Sequence, residues 1–271
     1  MFDSDALAQA MQRSRGHAAV IMGPRGLIDL AQSGSAKAML PRVTSGLPEV
    51  VFLNTSGGLA SGDRLGFSLD LRAGTRAQAT TQTAERAYRA KGSPAHAEVS
   101  VTVGTGGWLD WLPQETILFD GARLERHTRV DLQGDAGCMI LETVMLGRLA
   151  CGEQLRHLHL RDRREVRRDG QVIHHDALAL DDGVLERRAN PALLGEARVM
   201  ATLAIIAPHA PDLLHSARAE LNEPGVIGAA SAPPGRLVLR LLARDDWPLR
   251  RQLNRLLDRL RPDPLPRIWQ I

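Results

Sequence analysis

Five carboxylates occupy positions that do not suit a charge. Glu142 interrupts Met139-Ile140-Leu141-Glu142-Thr143-Val144-Met145-Leu146. Glu115 and Asp120 lie in Trp111-Leu112-Pro113-Gln114-Glu115-Thr116-Ile117-Leu118-Phe119-Asp120-Gly121, Asp63 closes a glycine-rich run, and Glu153 follows Gly152. A carboxylate among apolar neighbours must find a partner or give up its charge, because burying it unpaired is expensive. Three chemistries are open to the set. Glu142 can face solvent or pair with an arginine such as Arg148. The five together can line a polar interior through which a hard or borderline divalent cation passes with weak affinity. Two of them can serve as the acid and base of glycoside hydrolysis. Against the last stands an aromatic content of 3%, since carbohydrate clefts need rings on which the sugar stacks.

Other motifs are less informative. Gly57-Gly58-Leu59-Ala60-Ser61-Gly62-Asp63 lacks the ending of a phosphate loop and the spacing of a dinucleotide site. It reads as a tight turn needing positive φ, with Asp63 exposed at its lip. His157 and His159, two apart on a strand, share a face and can hold a divalent metal or simply be solvated beside Arg156 and Arg161. His174 and His175 point to opposite faces and read as polar surface residues. There is no Cys-x-x-Cys and no His-Glu-x-x-His, so no preformed zinc site is expected. Asn54-Thr55-Ser56 fits a glycosylation sequon that is idle in a cytoplasmic protein.

The elements that must position these residues are mostly strands. Leu65, Phe67, Leu69 and Leu71 alternate with Gly66, Ser68, Asp70 and Arg72, and Val99, Val101 and Val103 alternate again, the period of a half-buried strand. Val50–Leu53, Thr75–Thr83, Leu124–Leu132, Cys138–Leu146, Leu155–Val166, Val172–Leu180 and Ala197–Ala207 continue the series with turn residues between them. Such spacing predicts a mainly β fold, whether a sandwich, a barrel or a solenoid. Two helices are predicted late in the chain. Pro211–Leu221 is short, and Asp245–Leu260 carries the stripe Leu249, Leu253, Leu256, Leu257 and Leu260. Asn222–Gly235 reads as a mobile linker. No exact repeat and no strong boundary is found, so residues 1–271 are expected to form one domain.

Composition narrows the class. The chain has 44% hydrophobic residues and a formal charge of +3, from 34 cationic and 31 acidic side chains. The cations are almost all Arg, which suits protein interfaces as well as phosphates. With four Phe, four Trp and one Tyr there is no stacking platform for nucleic acid. Apolar runs such as Val199–Ala207 are too short to cross a membrane. Two cysteines make no disulfide framework, and a cytoplasmic protein is expected.

Several blocks, taken in order, resemble the urease accessory protein family UreD, called UreH in some organisms. They are Leu53–Leu65, Ala79–Arg89, Trp111–Ala122, Leu146-Gly147-Arg148 with Gly152-Glu153, Arg161-Asp162-Arg163 and Pro266-Arg267-Ile268-Trp269. The motif positions are Gly57, Gly58, Gly62, Gln82, Tyr88, Arg89, Pro113, Gly121, Arg148 and Arg267. Asn54–Ser56 departs from the Pro-Pro of many members, Ser61 stands where a Gly is common, and a Lys is common near Arg86. Met1–Val20 lies outside the resemblance. The resemblance implies a non-catalytic maturation factor with stacked β-sheets and two helices. It implies binding to the urease apoprotein, with UreF and the GTPase UreG, to install a dinuclear nickel centre. It further implies nickel(II) in transit through the interior with no tightly bound cofactor, which would give Asp63, Glu115, Asp120, Glu142 and Glu153 a task. The Asp245–Leu260 helix is then expected either to dock UreF or to cover the chain's own sheet. Two rival readings are a carboxylate hydrolase and a metal-free clamp that opens the apoprotein.

Overall fold

The computed structural model describes residues 13–43, 46–148, 151–190 and 192–269. Between Glu49 and Arg168 the chain passes back and forth between two sheets, laying each new strand parallel to the previous one of the same sheet. The first sheet runs β14 (Gln171–Asp181), β13 (Leu158–Arg168), β11 (Ala122–Leu132), β8 (Ala95–Val103), β5 (Arg64–Leu71), β1 (Arg15–Gly23) and β2 (Gly26–Gly34). The second runs β16 (Val226–Ser231), β17 (Arg236–Ala243), β15 (Val199–Ile206), β12 (Gly137–Leu146), β9 (Trp108–Trp111), β6 (Arg76–Thr81), β4 (Glu49–Asn54) and β3 (Ala36–Met39). Two short strands, β7 (Glu85–Ala87) and β10 (Thr116–Leu118), add a narrow third face. The centre is therefore a solenoid closed at both ends by antiparallel strands.

In-register ladders hold the coils together. Val20, Leu69, Val101, Val130 and Val166 stack across the first sheet, and Val50, Ala79, Trp111 and Ile140 across the second. Nearly all are fully buried. Leu59, Ala87, Leu118 and Leu146 stack on the third face. Alternation works where one strand face meets this core and the other meets water, as in β5 and β8. It fails in β12, which is buried at every position because the second sheet is covered on both sides. Ile140 and Val144 face the inter-sheet core, whereas Met139, Leu141 and Met145 face a helical layer.

That layer is α3 (Asp246–Leu260), which buries its leucine stripe with Leu203, Leu239, Leu241 and Trp269. Of the two expectations for this helix, packing on the chain's own sheet is the one observed. Asp245 stands at its N-cap without a side-chain capping bond. The predicted Pro211–Leu221 helix is a 3-10 turn, Ala210–Leu213, running into α2 (Leu214–Glu220). A further short helix, α1 (Asp182–Glu186), is capped by Asp181, whose side chain accepts from Val184 N. The expected linker Asn222–Gly235 contains strand β16, which pairs with β17 even though Gly and Ala are poor strand formers. Among the described residues no helix is long and apolar enough to cross a membrane.

Leu256 is fully buried at the centre of the helix–sheet contact. Leu256→Ala is expected to lower unfolding free energy by about 2–5 kcal/mol in chemical denaturation. A loss below about 1 kcal/mol would mean that this helix is not docked in solution.

Candidate functional site

Glu142 lies beside an opening in the second sheet. β12 pairs with β9 as far as Ile140↔Trp111 and with β10 only from Val144↔Thr116. Leu141, Glu142 and Thr143 therefore have no ladder partner on that side, and the chain from Leu112 to Glu115 bows away from them. Its bow is fixed at several points. Leu112 O accepts from Thr80 Oγ1 at 2.7 Å and from Trp269 Nε1 at 2.9 Å, and Gln114 N donates to Thr81 Oγ1. Arg250 donates to Gln114 Oε1 at 2.9 Å and lies 3.8 Å over the Trp269 ring.

Two cavities lie on opposite sides of the sheet beside the opening, and Gln114 lines both. On the helical side about 220 Å³ is enclosed by Gln114, Glu115, Thr143, Asp246, Trp247 and Trp269, among others. On the core side about 50 Å³ is lined by Glu142, Arg126, Glu85, Thr81 and Trp111 together with apolar residues. A third cavity of about 30 Å³ shares Glu85, Thr81 and Phe67 with the second and is also lined by Asn54, Gly57, Thr83 and Arg86. Three buried atoms around the opening have no hydrogen-bond partner: Gln114 Nε2, Thr143 Oγ1 and Glu142 Oε2. The Glu142 oxygen lies 2.8 Å from Arg126 Nη1, an ion pair whose angle is too poor for a hydrogen bond.

Glu142 is thus neither solvated nor paired with Arg148. Its other oxygen accepts from Trp111 Nε1 at 3.0 Å and from Thr128 Oγ1 at 3.3 Å. Arg126 grips Asp162 with two bonds, Nε–Oδ1 3.0 Å and Nη2–Oδ2 2.7 Å, and donates to Thr116 Oγ1. The chain of charges continues from Asp162 to Arg164 at 3.5 Å, Asp176 at 3.4 Å and exposed Arg240 at 2.7 Å. Burial pushes the Asp162 carboxyl up, but the Arg126 and Arg164 charges outweigh it and hold the pKa below the usual carboxylate range. Burial likewise works against the charged Arg126, and Asp162 and Glu142 more than compensate. Glu85 is the opposite case. Burial raises its pKa, and bonds from Arg86 N and Asn54 Nδ2 only partly counter it.

The remaining predicted carboxylates are spread over the molecule. Glu115 stands at the mouth of the helical-side cavity, 4.0 Å from Arg250 Nη1. Asp63 is buried rather than exposed. Its oxygens accept from Ser14 N at 2.7 Å and Ala60 N at 2.8 Å, tying the first strand to the turn. Asp120 accepts from Arg156 N, His157 N and Arg89, and Glu153 accepts from Arg148 and Asp120 N. In both, burial raises the pKa but these bonds outweigh it, so the carboxyl titrates below its ordinary range. Among the described residues no three His, Cys, Asp or Glu converge to hold a metal. His157 bonds Asp182, His159 faces Glu125 at 3.6 Å, and His174 is buried rather than exposed.

The motif positions gather mainly at the narrow third face. Gly57, Gly58 and Gly62 have φ of 79°, 150° and 73°, and a Cβ on Gly58 would come 2.3 Å from Tyr88 Cε2. Tyr88 donates to Gly57 O and meets the Phe119 ring edge-on, with Arg148 over that ring at 4.9 Å. A Cβ on Gly121 would crowd Arg89. Ser61 does not need positive φ, and its hydroxyl accepts from Lys91 N. Gln82 N bonds Phe52 O, Pro113 lines the core-side cavity, and Arg267 supports buried Glu49.

Residues 14–270 match the family described as UreD urease accessory protein. The chain belongs to that family. It is 69% identical over 271 residues to the urease accessory protein UreD of Paracoccus denitrificans, covering 100% of this chain and 97% of the relative. It is 54% identical over 264 residues to that of Cereibacter sphaeroides, with 96% of each chain covered. A UreD from Rhizobium leguminosarum bv. trifolii is 41% identical over 260 residues, covering 95% of this chain and 94% of the relative. Membership implies a role in urease maturation.

Sequence reasoning did not assign a place to Glu85, Arg126 or Asp162. Glu85 fell inside a quoted block, but nothing in its neighbours signals burial. Strand alternation carried a signal for the other two, since Arg126 is in phase with Leu124, Val130 and Leu132, and Asp162 with Leu158, Leu160 and Val166. Arg126→Met is expected to destabilise the fold by about 3–5 kcal/mol at neutral pH, because Glu142 and Asp162 lose their counter-ion. Asp162 has a lowered folded pKa, so its stabilisation is present above its unfolded value of about 3.9 and is lost as pH falls through the folded one. The penalty of Arg126→Met should therefore hold from neutral pH down to about 4 and shrink below it. Denaturation midpoints of both proteins from about pH 2 to about pH 8 check this, and a penalty unchanged below about pH 4 would contradict the assignment.

Proposed function

We propose that this chain is a non-catalytic scaffold of urease maturation that hands nickel(II) to the urease apoprotein. It would act in the cytoplasm together with UreF and UreG, with no cofactor of its own. The observation that carries the reading is the opening in the second sheet, with cavities on both sides and single carboxylates spaced along them. A nickel ion would enter or leave beside Glu115, pass Gln114, Thr143 and Glu142 through the opening, and reach Glu85 near the Gly57 turn. Asp63, Asp120 and Glu153 would border the route, their oxygens locking the turns that frame it.

The chemistry favours movement over storage. An ion in transit must exchange some of its water for protein oxygens without meeting a closed cage, and hard carboxylate ligands met one at a time satisfy both demands. Thr143 Oγ1, which lacks a protein partner, offers an acceptor to the ion's hydration shell beside the opening. Arg126 opposes tight capture at Glu142 by sharing that carboxylate. A raised pKa at Glu85 means its charge, and so its pull on a cation, is weakened as the pH falls.

Two variants test the route by different means. Glu142→Gln removes a charge while keeping an acceptor for Trp111, and Thr143→Leu narrows the opening without touching a carboxylate. Each is expected to lower the nickel content of urease co-expressed with all accessory proteins by about tenfold, the factor that a 1.4 kcal/mol penalty produces. Co-purification of the accessory complex should remain intact. If both variants load urease normally, the ion does not pass here, and a metal-free clamp acting on the apoprotein becomes the better reading.

A further inference from the structure

Next to the third face lies a separate cleft of about 590 Å³ that the proposed route does not use. Arg89, Lys91 and Arg123 line it, together with His157 and His159. Asp181 and Asp182 also line it, yet their oxygens are taken. Asp182 accepts from Leu158 N at 2.7 Å and from His157 Nδ1 at 3.1 Å. Asp181 caps α1 and pairs with Arg161 at 3.3 Å. Neighbouring Asp120 is filled by two backbone N–H groups and Arg89. Among the described residues, Lys91 Nζ and the Arg123 guanidinium have neither a hydrogen bond nor an ion pair. Both are exposed. Arg89 is committed to Asp120, and Asp181 and Asp182 are held within the chain, which leaves Lys91 and Arg123 as the cleft's unbonded cations, with Arg123 also acting on Asp182 through space.

The spread of these cations decides what kind of anion fits. A small anion needs donors that converge, and backbone N–H groups are the usual source. Here the N–H groups of Arg156, His157 and Leu158 already serve Asp120 and Asp182. The segment after β7 bridges the start of β11 antiparallel at Arg89↔Ala122, which puts Lys91 and Arg123 on opposite sides of that bridge and spreads the positive charge along the cleft. Exposed Tyr88 lies beside this segment and Arg148 lies over Phe119, and Tyr and Arg are the side chains most enriched at protein hot spots. We propose that this cleft docks an extended acidic segment of a partner protein, with Lys91 and Arg123 as its charge contacts. This surface is independent of the nickel route and can stand or fall without it.

The test uses the full chain and a fluorescein-labelled decaglutamate peptide read by fluorescence anisotropy. Binding is expected at about 50 mM salt, weakening steeply toward about 200 mM as screening increases. Lys91→Glu combined with Arg123→Glu should weaken it by about tenfold or more, since two attractions become repulsions. Among the described residues neither side chain makes a hydrogen bond or an ion pair, so the variant should keep a melting temperature close to that of the wild type. Arg25→Glu, an exposed cation in the β1–β2 turn, should leave binding unchanged. The proposal is overturned if the wild type does not bind the peptide, or if the double variant binds as tightly as the wild type. It is equally overturned if Arg25→Glu weakens binding as much as the double variant does, since attraction would then be non-specific. Displacement of the peptide by low-millimolar inorganic phosphate would also defeat it, by showing a small-anion site instead.

Discussion

Arg126 sits at 9% exposure between Glu142 of the second sheet and Asp162 of the first, and this ion pair fixes how the two sheets meet. A guanidinium in that position is tolerable only if its charge is matched and its N–H groups are used. Both conditions are met by three contacts from three strands: Asp162 beside it in register, Glu142 across the core, and Thr116 at the start of β10. Removing Arg126 leaves buried carboxylate charge unmatched, whereas removing Thr116 leaves only an N–H without its acceptor. The network extends outward through Arg164 and Asp176 to Arg240, so three carboxylates meet three guanidiniums and the whole line is neutral. Such a line is a costly way to gain stability, and its effect here is to place charge where a core would ordinarily be apolar.

The opening in the sheet follows from the same region. β9 ends at Trp111 because Leu112 turns its carbonyl to Thr80 and Trp269, and pairing resumes only at Thr116, whose hydroxyl Arg126 holds. The C-terminal Trp269 and helix α3 therefore frame an opening formed mid-chain. The Glu142 carboxylate, beside the gap in pairing, is held by side chains alone: Trp111 and Thr128 bond one oxygen, and the other has only the Arg126 ion pair. Side-chain partners can exchange for a passing ion with less disruption than ladder bonds, which would require a strand to move. This couples the packing to the proposed function.

Much of the fold was legible because strand alternation reports a local fact, one face in and one face out. β5, β8 and β11 show it cleanly, as does the leucine stripe of α3. The glycine turn was legible for the same kind of reason, since positive φ at Gly57, Gly58 and Gly62 is a property of the residue itself. Other features left no such mark. The coils stack Val50, Ala79, Trp111 and Ile140, residues too unlike one another to read as a repeat. β16 is held by its pairing with β17, which composition alone does not convey. Glu142 was recognisable as out of place, but Arg148, the nearer arginine downstream, belongs to Glu153.

By itself the sequence determined that this is a strand-rich UreD-type chain, that α3 would bury a leucine face, and that carboxylates such as Glu142 had a cost to be met. Those conclusions depend on residue type, on periods of two or 3.6, and on ordered blocks, all local along the chain. Tertiary structure alone decided which cation meets which acid, that Asp63 is used by backbone N–H groups, and that the sheet opens beside Glu142. It also decided that Glu85 is half-buried and lines two of the cavities. These outcomes depend on contacts between strands far apart in sequence, and a charge carries no label for its partner until the coils stack.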